Sequence, residues 1–270
     1  MKESLGDLIK GYEANYNFTL PKRCPLIIRL DLRAGHSFTR GFDKPYDQIF
    51  IKSMYETMHY LCKSIPGCQF GYVESDEISL LVYETNPEAE PWFANRVQKF
   101  CSISAAMATL QFNRVFKQQV DYFDSLHKNG GSTRDFDLLI KYQAALEKDA
   151  MFDSRVFVIP ESVINPYFIW RQNDCTRNSI LGLAQRYMSH KEMQGLKCNE
   201  LQNILLTKYD VNWNNFTTVE KRGTCAYREL IDPEKERFEW KLDFDMPILM
   251  SDRSFVLGKI FYPDLRDEEE

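Results

Sequence analysis

Between Ile28 and Arg33 apolar and charged residues alternate one for one, with Ile28, Leu30 and Leu32 set against Arg29, Asp31 and Arg33. A period of two predicts a half-buried strand with one apolar and one charged face, here within Cys24 to Arg33. After a turn-like stretch from Ala34 to Lys44, Pro45 and Asp47 open a helix. Its stripe of Phe50, Met54, Met58 and Leu61 repeats every three to four residues, and Pro66 and Gly67 stop it. Phe70 to Glu74 and Ile78 to Tyr83 read as two strands joined by a tight turn at Ser75-Asp76-Glu77. Trp92 to Gln119 is expected as one long helix, with Phe93, Val97, Phe100, Ser104, Met107 and Gln111 marking one side. A polar opening, Lys128 to Ser132, leads into a further helix over Asp135 to Ala150, and Arg155 to Ile159 is a short apolar strand.

With 127–151 set aside as a possible insertion, the order is strand, helix, strand, strand, helix, strand. That is the split βαβ, or ferredoxin-like, arrangement, whose sheet is antiparallel with helices on one face. Beyond Pro160 the chain reads as mainly helical, with periodic stretches at Asp174 to Lys191 and Asn199 to Lys208. Trp213 onward mixes short apolar runs with charge and yields no assignment. The expected class is α+β, with residues 1–160 forming one unit and 161–270 a helical region packed on it.

Composition narrows the classes. The chain has 270 residues, 44% hydrophobic and 14% aromatic, enough for a sizeable core. No apolar run reaches the length of a membrane span, and MKESLGDLIKGYE lacks the apolar centre of a signal peptide, so a soluble cytoplasmic protein is expected. The seven cysteines are spread without a CxxC pair, and the four histidines lack ligand spacing. Disulfide frameworks and zinc sites are therefore not expected, and a metal here should be a hard cation held by carboxylates. Lysine and arginine total 34 against 39 aspartates and glutamates, a net charge of −5. The distribution matters more than the sum. Residues 91–120 contain no acid but hold Arg96, Lys99, Arg114 and Lys117, while Asp267 to Glu270 form an acidic tail. Scattered, these basic residues would be ordinary solvated charge; gathered on one face, they would suit a polyanion.

Asp31 and Asp76 carry the chemistry. Aspartate is unfavourable inside a strand, and the first strand of a ferredoxin-like sheet lies beside the hairpin, so the two carboxylates can converge. Like charges so placed invite a cation, and two divalent ions about 3.5–4 Å apart assist in-line phosphoryl displacement. The plainer alternative makes Asp76 a turn residue and Asp31 the partner of Arg29 or Arg33.

Longer strings shift that balance: RLDLRAGHSF (Arg29 to Phe38), FDKPYD (Phe42 to Asp47), ESDEISLLV (Glu74 to Val82) and WFANRVQKF (Trp92 to Phe100), then FDSRVFVIP (Phe152 to Pro160), WRQNDC (Trp170 to Cys175) and KRG (Lys221 to Gly223). In order and spacing, over roughly residues 20–225, the chain resembles the tRNA-histidine guanylyltransferase superfamily. The resemblance implies a polymerase-palm-like catalytic domain and addition of nucleotides to the 5′ end of a tRNA, opposite in direction to ordinary polymerases. It implies that Asp31 and Asp76 hold two Mg2+ ions, helped by the backbone carbonyl of Leu32, where the family has glycine. Glu77 joins them as a catalytic residue that orders the site, and Ser75 contacts nucleotide. Arg33, Ala34, Gly35 and His36 match the nucleotide-cradling turn, with Gly35 replacing an aromatic residue. Lys44, Arg96 and Lys99 fit neutralisation of a triphosphate, Asp47 a nucleotide contact, and Arg29 the activation step. Arg155, Arg171, Arg177, Asn178, Lys221 and Arg222 are expected at the RNA, along a basic groove running from Arg96 and Lys99 toward Arg171 and Arg177.

After WRQNDC the family's histidine-specific members carry His-Ile-Asn-Asn; here Thr176, Arg177, Asn178 and Ser179 stand instead. This points to the guanylyltransferase-like branch, which repairs 5′-truncated tRNAs by copying a template strand. ATP and GTP are the implied substrates, tRNA the partner, and a homotetramer the implied assembly. The alternatives are a histidine-tRNA guanylyltransferase, a palm-type nucleotide cyclase and an inactive RNA-binding scaffold.

Overall fold

In chain order the elements are α1 (Leu5–Ala14), β1 (Leu26–Leu32), α2 (Gly35–Phe38), α3 (Gln48–Ser64), β2 (Cys68–Glu74) and β3 (Glu77–Val82). Next come α4 (Val97–His127), α5 (Thr133–Leu146), β4 (Phe152–Val158) and α6 (Ile164–Tyr187). The last are α7 (His190–Met193), α8 (Cys198–Tyr209), α9 (Thr218–Arg222), β5 (Thr224–Asp232) and β6 (Arg237–Asp243). They come from a computed structural model that describes residues 4–86, 88–128, 130–232 and 237–260. Asn129 and the acidic tail Asp267 to Glu270 lie outside the described residues.

The sheet order is β4-β1-β3-β2-β5-β6, with every neighbouring pair antiparallel. Its first four strands, with crossovers α3 and α4, are the expected ferredoxin-like unit. The α+β reading holds. The region beyond residue 160 is mainly helical, but it also contributes β5 and β6 to the same sheet.

The alternation in β1 sorts its residues between two cores. Ile28, Leu30 and Leu32 bury against Met54, Met58 and Leu61 of α3 and Phe100, Phe112 and Phe116 of α4. The opposite face is not charged throughout. Ile27, Phe70, Leu81 and Tyr227 pack there under Ile164 and Phe168 of α6. Only toward the C-terminal end of β1 does that face turn polar. The second half of α6 joins a third cluster with Leu201, Leu205 and Trp213, so one helix links the sheet to the α8 region.

One expectation needs correction. The stretch expected as one long helix breaks after Trp92: Phe93, Ala94 and Asn95 take left-handed backbone angles, φ 49°, 50° and 57°. The helix proper starts at Val97 and runs on to His127. Within 127–151 the expected helix is α5. Ser132 and Asp135 cap α5 reciprocally, and Tyr142 and Ala145 enter the core below α3 and α4.

Candidate active site

β1 and the hairpin bring Asp31 and Asp76 together. The amide of Leu32 donates to the carbonyl of Asp76 at 3.0 Å, so the end of β1 is stitched to the turn. Directly opposite residues in an antiparallel ladder share a face. Asp31 stands opposite Glu77 on one side and Asp153 on the other, and Glu77 stands opposite Glu74. Four carboxylates thus share the polar end of one face, with Asp76 at the tip. Glu77 belongs to β3 itself, and the turn is only Ser75-Asp76, with Ser75 at φ 47°. Asp76 also lies against α2: a Cβ at Gly35 would sit 2.1 Å from Asp76 Oδ2. The missing Cβ at Gly35 is what lets that carboxylate rest there.

The site accumulates negative charge. Burial, then Asp76, then Asp153 push the Asp31 carboxyl above its ordinary range, while Arg155 and Arg29 pull the other way. Arg29 Nε is 3.7 Å from Glu77 Oε2. Arg29 Nε, Glu77 Oε1 and Glu74 Oε2 are buried without a hydrogen-bond partner, and such groups are costly unless something satisfies them. Arg171 lies 2.9 Å from that Glu77 oxygen, which leaves Asp31 and Asp76 as the carboxylates whose hard oxygen donors suit a divalent cation. Among the described residues no group of three or more His, Cys, Asp and Glu side chains is arranged to hold a metal ion; Asp31 and Asp76 form a pair.

Arg171 is not a surface arginine. It is buried, donates to Glu74 Oε1 from Nη2 at 2.6 Å and from Nε at 2.9 Å, and reaches Asp174 at 3.2 Å. Desolvation outweighs this partner and raises Glu74 to about 7.

Beside the carboxylates opens a cleft of 520 Å³ lined by Thr39, Lys44, Asp47, Ser75, Gln185 and Arg186, among others. A second cavity of 240 Å³, which includes Asn178 and Glu220, shares Pro45, Asp47, Phe50, Ser75 and Gly182 with it. Ser75 and Lys44 both line the first cleft. Asp47 reaches the wall, but its carboxylate is spent: it accepts from the amides of Phe50 and Asp43 and the hydroxyl of Tyr142, at 2.7–2.9 Å. It caps α3 instead of reaching out to a ligand. Arg33, Ala34 and His36 are exposed around the α2 turn, with Ala34 at φ 55°.

The other basic residues scatter. Arg96 pairs with Thr19 ahead of β1, and Phe100 lies by Leu26 and Val82. Arg96 and Lys99 therefore sit at the opposite end of β1 from Asp31, and Arg171, expected at the far end of a groove from them, is buried. Arg155 is on the carboxylate face, 3.1 Å from Asp153. Arg177 is exposed and paired with Asp174. Lys221 donates to the Asn214 carbonyl, and the Arg222 carbonyl accepts from Tyr72. Ser179 is buried between Tyr46 and Trp213, at 2.8 and 2.9 Å, so it is not free to read a base.

Two residues were missed. Asp153 extends the alternation of β4 two places before Arg155, a signal open to the same period-two reading. Arg186, which donates to the Lys44 carbonyl, carries no local signal, because its partner is remote in sequence.

Comparison with known proteins agrees with this fold. The family profile described as tRNAHis guanylyltransferase matches residues 6–160. A bacterial tRNA(His) guanylyltransferase (Thg1)-like protein, solved in complex with ATP, is 34% identical, with 96% of this chain and all of that one covered and a TM-score of 0.78. A bacterial protein of the same description in complex with GTP is 32% identical over the same shares, with a TM-score of 0.71. The tRNA(His) guanylyltransferase of Debaryomyces hansenii is 26% identical, covering 85% of this chain and 82% of its own.

Proposed function

The chain belongs to the tRNAHis guanylyltransferase family, whose members are nucleotidyltransferases, and on that premise we propose that it adds nucleotides to the 5′ end of tRNA. The observation that carries this is the convergence of Asp31 and Asp76 beside the Lys44–Ser75 cleft. Asp31, Asp76 and the carbonyl of Leu32 would hold Mg2+. When bound, the metal would offset phosphate charge and favour in-line attack by a hydroxyl. Lys44 and Arg186 bring positive charge to a cleft that would take a triphosphate carrying about four negative charges. Ser75, on the wall shared by both cavities, would orient the nucleotide. Relatives solved with ATP and with GTP support nucleoside triphosphates as substrates.

Within the family, our reading is template-dependent repair of 5′-truncated tRNA. Thr176, Arg177, Asn178 and Ser179 support it: Ser179 is buried and Arg177 is held by Asp174, leaving little to read an anticodon. The names of the curated relatives favour the other reading, guanylylation of histidine tRNA. The deciding experiment offers all four nucleotides to matched truncated histidine and non-histidine tRNAs.

The same proposal includes a homotetramer in the cytoplasm. Among the described residues no helix is long and apolar enough to cross a membrane. Arg96 and Lys99, remote from Asp31 in their own chain, would then serve RNA held at a neighbouring subunit. Light scattering of the purified chain measures that assembly directly.

A further inference from the structure

One guanidinium holds both stems of the hairpin that carries Asp76. Arg171 is 6% exposed and donates from Nη2 and Nε to Glu74 Oε1 at 2.6 and 2.9 Å. Its Nε also lies 2.9 Å from Glu77 Oε1, although the hydrogen points to Glu74 and leaves that Glu77 oxygen unbonded. Glu74 and Glu77 face each other across the Ser75-Asp76 turn. Asp174 Oδ2 takes a third contact at 3.2 Å, and the Trp170 ring supports the guanidinium from 4.4 Å. Arg171 is thus fixed on α6 by a carboxylate and a ring, while its fork grips the hairpin.

Three carboxylates around one cation is a poor device for stability alone. Each ion loses hydration on burial, and apolar side chains of similar volume often serve as well or better. The planar fork supplies position, because its donors lie at fixed angles. Glu77 stands opposite Asp31, and the Asp76 carbonyl accepts from the Leu32 amide, so a shift of the hairpin would move Asp76 relative to Asp31.

We infer that Arg171 is a positioning residue for nucleotidyl transfer: held on α6, it clamps Glu74 and Glu77 so that Asp76 stands beside Asp31. The inference rests on the proposal that these aspartates hold a divalent cation. Its competitor is a direct contact with RNA, which would show in tRNA affinity instead.

The test uses the full chain and Mn2+ alone as the probe, with free ion followed by electron paramagnetic resonance. Arg171→Lys keeps the charge and loses the fork. Mn2+ should bind about 10- to 100-fold more weakly, as when a supporting partner of a metal ligand is lost. In nucleotide addition kcat should fall by a similar factor, while the KM for tRNA and its salt dependence stay within about twofold. Unchanged Mn2+ affinity, or a raised KM for tRNA with kcat intact, overturns the inference. Should the lysine variant fail to fold, the double variant Arg171→Gln with Glu74→Gln keeps the net charge of the cluster, and wild-type Mn2+ affinity there overturns it equally. A wild-type chain that binds Mn2+ through Asp31 yet extends no tRNA overturns the proposed function, and the positioning role then stands or falls on the Mn2+ measurement.

Discussion

Asp31 is a residue whose charge works against the fold that holds it. Burial and the neighbouring Asp76 and Asp153 raise its carboxyl, so replacing it relieves repulsion. On the proposed role, in which its charge serves a cation and not the packing, Asp31→Ala should lower nucleotide addition at least about 100-fold. Without added metal its thermal midpoint should hold or rise. Near-normal activity at saturating Mg2+ would falsify the paired-carboxylate mechanism. Glu74 gives a second handle through pH. Its folded pKa of about 7 stands above the ordinary 4.5, so between those values the folded chain binds the extra proton. Stability contributed by that protonation is present below the lower value and is lost as pH rises through the upper one. The thermal midpoint should therefore decline from pH 5 toward pH 7, and Glu74→Gln should flatten that slope; an equal slope in both proteins would assign it elsewhere. None of this was visible at Arg171, read from sequence as a surface arginine near RNA. Its carboxylate partner Glu74 lies 97 positions away, and burial by a remote hairpin leaves no local pattern.

At the scale of elements, legibility followed periodicity. β1 and α3 were read from alternation and from a stripe, and both lie close to where expected. β6 was legible too and was passed over: Phe238, Trp240 and Leu242 alternate with Arg237, Glu239, Lys241 and Asp243. Its high charge masked a strand at the sheet edge, where charged side chains are usual. The break before α4 could not be seen, because Phe93 and Ala94 seldom take left-handed angles and the stripe runs straight through them. α5 shows how a stretch without a clear motif is tied to the site. Its Tyr142 hydroxyl donates to Asp47 Oδ2 at 2.7 Å, and Asp47 caps α3 and fixes the Lys44 loop. Tyr142→Phe removes that bond from a buried carboxylate and should cost about 1–3 kcal/mol in denaturant unfolding. The KM for nucleotide should rise as well, since the loop lines the cleft. A stable variant with an unchanged KM would detach α5 from the site.

For the whole molecule, the open question is how an acidic chain selects a polyanion. With a net charge of −5, binding must depend on where the positive residues sit. Arg155 lies on the carboxylate face, Lys44 and Arg186 lie at the cleft, and Arg96 and Lys99 lie at the far end of β1. Such separated patches suit contacts to phosphate, which position an RNA without reading its sequence. Sequence-specific reading of a single-stranded anticodon needs accessible groups that meet base edges. At the four positions after Cys175, Ser179 and Arg177 are held by other side chains, while Thr176 and Asn178 have no side-chain partner among the described residues and Asn178 lines the smaller cavity. We therefore expect the end of the tRNA, not its identity, to decide the substrate. Truncated histidine and non-histidine tRNAs should be extended with comparable kcat/KM, and the added base should pair with the nucleotide opposite. Affinity should fall as salt rises, because released counterions drive phosphate binding. Addition of G alone, to histidine tRNA alone and irrespective of the opposing base, would reverse the assignment. Base-specific recognition would then have to come from outside the Thr176–Ser179 stretch, with Arg96 and Lys99 of a neighbouring subunit the first residues to substitute.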